Sequence, residues 1–194
     1  MKKKVFVSAD WKEAANPHSW DKNVVDRIRK WEKDNRYAID ITCTDEVHDS
    51  VVDKEDCRRC DIKEECATEI KKSDVVIFVV GDKTGDKSAG PCDTTSCSPA
   101  YSGKAKQYCT KHQPNIIVHG AKMSYLQYEI TTAVLNNKKI IVVFNAACKR
   151  ESWIPSWYKT LQANYRVNEL CQVAFWKDSS QDKDCYQDIK QYLF

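Results

Sequence analysis

Glycine and proline are scarce in this chain, five of each in 194 residues. That scarcity excludes long flexible linkers. Also missing is any apolar run long enough to cross a bilayer as a helix, so no membrane is expected as a partner. No block of like charge stands out except Lys2, Lys3 and Lys4, and the formal net charge is only +3. The triplet reads as a solubilising flank, and no nucleic acid is expected. The apolar stretch 5–9 is too short for the core of a secretory signal and suits a strand, so a cytoplasmic location is expected. Cysteine breaks the pattern of scarcity, with ten residues. In a chain expected to be cytoplasmic they do not imply a disulfide framework.

With 42% hydrophobic and 30% charged residues, the composition is that of a globular protein, read as a single domain over 1–194. Residues 4–9 form a short β-branched run, a buried strand. Residues 20–35 read as a helix, with Val24, Ile28 and Trp31 on one face, Val25 beside them, and Arg27, Lys30 and Lys33 left for solvent. Residues 37–43 are a second strand, and 61–72 a helix with Ile62, Cys66 and Ile70 in register. Residues 74–81 are the strongest strand and need cover on both faces. A long connection over 82–122, rich in Cys, shows no long periodic pattern; such segments are functional, ligand-stapled or disordered. A helix follows, with Leu126, Ile130, Ala133 and Val134 at helical spacing, then a strand at 139–145 and a loop carrying Trp153, Pro155 and Trp157. Residues 172–176 read as a fifth strand and 182–193 as a terminal helix.

Strands alternating with helices imply right-handed βαβ units and one parallel sheet. The expected fold is α/β, a flavodoxin-like three-layer sandwich of about five parallel strands with helices on both faces, plus the Cys-rich insertion. Ligands of such sheets bind outside the carboxyl ends of the strands. That rule selects 8–11, 42–45, 81–83 and the loop delivering the helix with Glu129. Glu129 lies beside the apolar stripe of its helix, four residues after Tyr125, so the two share one side. Two readings stand: a carboxylate at the rim of a cleft, or an ordinary solvated helix glutamate.

Val5, Phe6, Val7 and Ser8 resemble the first strand of Toll/interleukin-1 receptor (TIR) domains. Residues 37–45 are similar to the second strand and following loop of that family. Residues 69–80 resemble its third helix and central strand, including the pattern Ser73, Asp74, Ile77, Val79. Residues 125–134 resemble the segment carrying the catalytic glutamate of NAD⁺-cleaving TIR domains, where an aromatic often stands four residues before the acid; here these are Tyr125 and Glu129. The resemblance spans roughly 4–145, interrupted by the insertion, and order and spacing carry it more than any one motif. The nearest likeness is to TIR-like proteins of bacterial anti-phage systems such as Thoeris.

This resemblance implies an enzyme that takes NAD⁺ as substrate, releases nicotinamide and makes an ADP-ribose-derived signal, linear, cyclic or conjugated. A downstream effector protein would sense the product, and self-association is a further implied contact. Glu129 would be catalytic, holding the ribose as oxocarbenium character develops. Phe6, Trp11 and Tyr125 offer stacking surface for nicotinamide or adenine; Ser8, Asp10 and Asp82 offer hydrogen bonds to ribose or phosphate. Against these stand plainer roles: Phe6 as core, Trp11 as a cap on the sheet edge, Ser8 as the start of a turn, Asp82 as a strand end. Asp10 would repel a pyrophosphate unless it faced the ribose. Two other functions compete: a non-catalytic TIR-like module that binds nucleotide or self-associates, and a nucleoside deoxyribosyltransferase-like enzyme, which shares the sheet and an active-site glutamate.

Cys92, Cys97, Cys109 and His112 make a plausible four-ligand structural zinc set within the insertion, and Cys57 with Cys60 could contribute instead. The competing reading is free, partly buried thiols, with Cys66 packed as a small apolar residue. Cys43, Cys148, Cys171 and Cys185 stand alone and read as structural.

Overall fold

The computed structural model describes residues 2–10, 21–34, 37–43, 47, 58–84, 123–165, 171–181 and 183–194. Five strands, β1 (Lys3–Ser8), β2 (Ile39–Cys43), β3 (Val75–Val80), β4 (Lys139–Phe144) and β5 (Cys171–Ala174), form one sheet in the order β2-β1-β3-β4-β5. Every pairing is parallel. This is the flavodoxin-like order, and its topological switch point lies between β1 and β3. The α/β class expected from the alternation of strand and helix is the one observed.

Among the described residues the helices with full ranges are α1 (Asp21–Lys33), α2 (Arg58–Lys72), α3 (Tyr125–Leu135), α4 (Ser156–Tyr165) and α5 (Tyr186–Leu193), with a 3₁₀ turn at Glu151–Trp153. Alternate residues of the inner strands β1, β3 and β4 feed two cores, and the edge strands β2 and β5 feed one. Val5, Val7, Val75, Ile77, Val79, Ile141 and Val143 face α1 and α5. Phe6, Val76, Phe78, Val80, Ile140, Val142 and Phe144 face α2, α3 and α4. All six residues of β3 are buried, which is why that strand reads as a continuous apolar run.

On the first face, Trp31 of α1 stacks on Phe175 with centroids 5.7 Å apart and meets Tyr186 of α5 edge-on at 5.0 Å. Its indole donates to Asp184 at 3.2 Å. On the second face, α2 and α3 lie side by side. A Schellman motif ends α3: the Lys138 amide returns to the Ala133 carbonyl, the Asn137 amide to the Val134 carbonyl, and Asn137 takes a left-handed φ of 52°.

Three of the differences from the sequence reading have a clear physical cause. Helix α4 occupies part of what reads as a loop; Tyr158 is its one buried residue, so its apolar period is thin. β5 ends at Ala174, and Trp176 instead bridges Asp184 antiparallel while its indole donates to Asn145. The last helix starts at Tyr186, where the Asp184 carboxylate accepts the Tyr186 amide at 3.1 Å. Among the described residues no helix is long and apolar enough to cross a membrane.

Candidate functional site

In such sheets ligands bind outside the carboxyl ends of the strands beside the switch point, here β1 and β3. Ser8 closes β1. Its side chain follows Phe6 by two residues, so it projects to the α2 and α3 face. Glu129 comes down from α3 onto the same spot. Ser8 Oγ donates to Glu129 Oε2 at 2.5 Å, and both residues are 0% exposed. Glu129 is therefore neither a solvated surface acid nor at an open rim. A carboxylate taken out of water requires donors, and Ser8 supplies one.

Cys66, on α2 and also 0% exposed, faces the same carboxylate. Burial pushes its thiol well above the ordinary range, and the charge of Glu129 and a hydrogen bond to it raise it further. Cys66 thus stays protonated and is no nucleophile at neutral pH. The sequence reading of Cys66 as a small packed residue holds in part: it lies in the apolar cluster of this face and also touches the acid.

Helix α3 is placed by both its ends. The Ser124 hydroxyl caps it by accepting the Gln127 amide at 3.1 Å. Just before it, the Met123 carbonyl accepts the ammonium of Lys63 from α2 at 2.7 Å. Lys63 Nζ also sits 5.8 Å from the Tyr125 ring centroid and 5.7 Å from that of Tyr128. At the far end Lys138 Nζ donates to the carbonyls of Lys71 and Ser73, each at 2.7 Å.

The other predicted residues spread around this centre. Phe6 is fully buried in the core beneath Ser8. Tyr125 is half-buried one turn before Glu129, against Lys63. Asp10 is half-buried just past β1, and Asp82 is exposed in the turn after β3. That turn is closed by Thr84, whose Oγ1 accepts the Gly81 amide at 2.6 Å. Trp11, Cys92, Cys97, Cys109 and His112 lie outside the described residues, as does Cys57.

A second polar centre, unforeseen from the sequence, occupies the opposite face at the same sheet edge. Asp21, 6% exposed at the start of α1, accepts Asn145 Nδ2 at 3.2 Å; Asn145 Oδ1 in turn accepts the Trp176 indole at 2.8 Å. Gly81 runs against this carboxylate so closely that a Cβ there would stand 2.5 Å from Asp21 Oδ1. Asn145 follows β4 directly, so the carboxyl-end rule extended to that strand would have found it.

Two carboxylates thus flank the carboxyl edge, one on each face: Glu129 with a hydroxyl donor, Asp21 with an amide. A carboxylate brought against a sugar orients it through its hydroxyls and stabilises positive charge beside it. No protein-family model matches the chain, and no curated protein matches it in sequence.

Proposed function

We propose that the protein is a TIR-like enzyme that cleaves the nicotinamide–ribose bond of NAD⁺. It releases nicotinamide and an ADP-ribose-derived signal, which an effector protein senses in a cytoplasmic anti-phage response. One observation carries the reading: a fully buried glutamate held by a serine at the carboxyl end of β1, beside the switch point. In this reading Glu129 contacts the ribose and opposes the oxocarbenium charge as the bond to nicotinamide breaks. Ser8, which donates to Oε2, keeps the carboxylate aimed. The carboxylate works in a site shielded from water, where its charge acts most strongly on the sugar. Exclusion of water also decides the product, because water at the anomeric carbon yields free ADP-ribose and an internal nucleophile yields a cyclic form.

The test is incubation of the wild type and Glu129→Gln with NAD⁺, with products resolved by mass. Nicotinamide and an ADP-ribose species from the wild type alone support the reading. Equal product from both proteins rejects Glu129 as the catalytic group. Turnover of free deoxynucleosides, with none of NAD⁺, would instead select the deoxyribosyltransferase-like chemistry.

A further inference from the structure

A lysine at 4% exposure is unusual, since its ammonium is strongly hydrated and its stem flexible. Toward α3, Lys63 makes one short bond to a backbone carbonyl and lies near two aromatic rings. These three partners, Met123, Tyr125 and Tyr128, belong to the chain entering α3 or to its first turn. Glu129 follows Tyr125 by one helical turn on the same side. We infer that Lys63 is a positioning residue for the Glu129 carboxylate, fixing the start of α3 so that the acid meets Ser8. This rests on the reading of Glu129 as the catalytic group.

The geometry gives a reason for such a clamp. The Ser8–Glu129 bond is 2.5 Å long and joins two elements far apart in sequence. A displacement of α3 by about 1 Å takes it beyond hydrogen-bond range. Helix α3 packs against α2, α4 and the sheet, and the two lysine bonds tie its ends to α2 and the residues just after it. Lys138 makes the equivalent tie at the opposite end, two helical turns from Glu129. The two lysines therefore separate helix anchoring in general from anchoring of the site.

The experiment is crystallography of the wild type, Lys63→Met and Lys138→Met, with kinetics on NAD⁺. Lys63→Met is expected to lengthen the Ser8–Glu129 contact beyond about 3.5 Å, and Lys138→Met to leave it intact. Lys63→Met is also expected to lower kcat by about 10²-fold with a small change in KM. A folded Lys63→Met protein that keeps the Ser8–Glu129 contact overturns the inference. If Lys63→Met does not fold, Lys63→Gln, which keeps a shorter donor, is read by the same distance. A wild type that leaves NAD⁺ untouched overturns the NAD⁺ reading, and the crystallographic distance alone then decides the role of Lys63.

Discussion

The Ser8 hydroxyl and the Glu129 carboxylate, 121 residues apart in the chain, meet at 2.5 Å with neither exposed to solvent. The bond ties the end of β1 to the second turn of α3 and makes a buried acid tolerable. Its loss has two separable consequences. Ser8→Ala leaves the carboxylate short of a donor and is expected to cost about 1–3 kcal/mol of stability. Glu129→Gln keeps shape and volume, so it is expected to fold and to lose NAD⁺ cleavage by about 10³-fold or more. Urea unfolding and product analysis by mass check the pair. A Glu129→Gln protein that retains turnover rejects the catalytic assignment.

Gly81 is required for close approach. A methyl group there would press on the Asp21 carboxylate, which Asn145 holds in place. Gly81→Ala is expected to destabilise by about 1–3 kcal/mol. In an Asp21→Ser background the same substitution is expected to cost less, because the obstructing oxygen has moved or gone. Denaturant midpoints for the four proteins measure the coupling, and strict additivity would refute it.

The Trp176–Asn145 bond locks the segment after β5 onto the end of β4. Trp176→Phe removes the indole donor while keeping a ring beside Phe175, at a cost of about 1–3 kcal/mol. A double-mutant cycle with Asn145→Ala is expected to show a coupling of about 1 kcal/mol. Cycle closure at zero would show that the two side chains contribute independently.

Alkaline pH probes the buried thiols. Burial pushes the Cys185 thiol from 9.0 up to about 12, with Asp188 and Asp184 adding to the rise. Burial, then Glu129, raises Cys66 in the same direction. The folded protein therefore holds these protons more tightly than the unfolded chain. The resulting stability is complete below the unfolded thiol value and is lost as pH rises through the folded one. Each thiol contributes a slope of about 1.4 kcal/mol per pH unit within that window. Unfolding measured between about pH 8 and pH 10.5 is expected to show Cys185→Ala losing stability less steeply than the wild type. Parallel slopes would show that Cys185 ionises alike in both states.

Much of this molecule is legible in local pattern. β-Branched runs at β1, β3 and β4, and the helical stripes of α1, α2 and α3, specify their elements because each buries a regular set of positions. Their alternation then restricts the topology to a parallel, right-handed α/β sheet. Helix α4 escaped because a helix that buries Tyr158 alone carries little periodicity. β5 was misjudged at its end because Trp176 leaves the ladder to satisfy Asn145, a partner distant in sequence.

Fold class, and Glu129 and Ser8 as separate candidates, follow from local pattern, since strand ends and helix faces are local properties. That the two meet, that Glu129 is buried, and that Cys66 and Lys63 lie close by comes from the assembly of distant segments. Burial and hydrogen bonding of a charged side chain depend on what the rest of the chain brings alongside, and no spacing within α3 encodes the approach of β1 or α2. The same holds for Asp21, Asn145 and Trp176, which lie on three different segments and form one network only when the sheet is assembled.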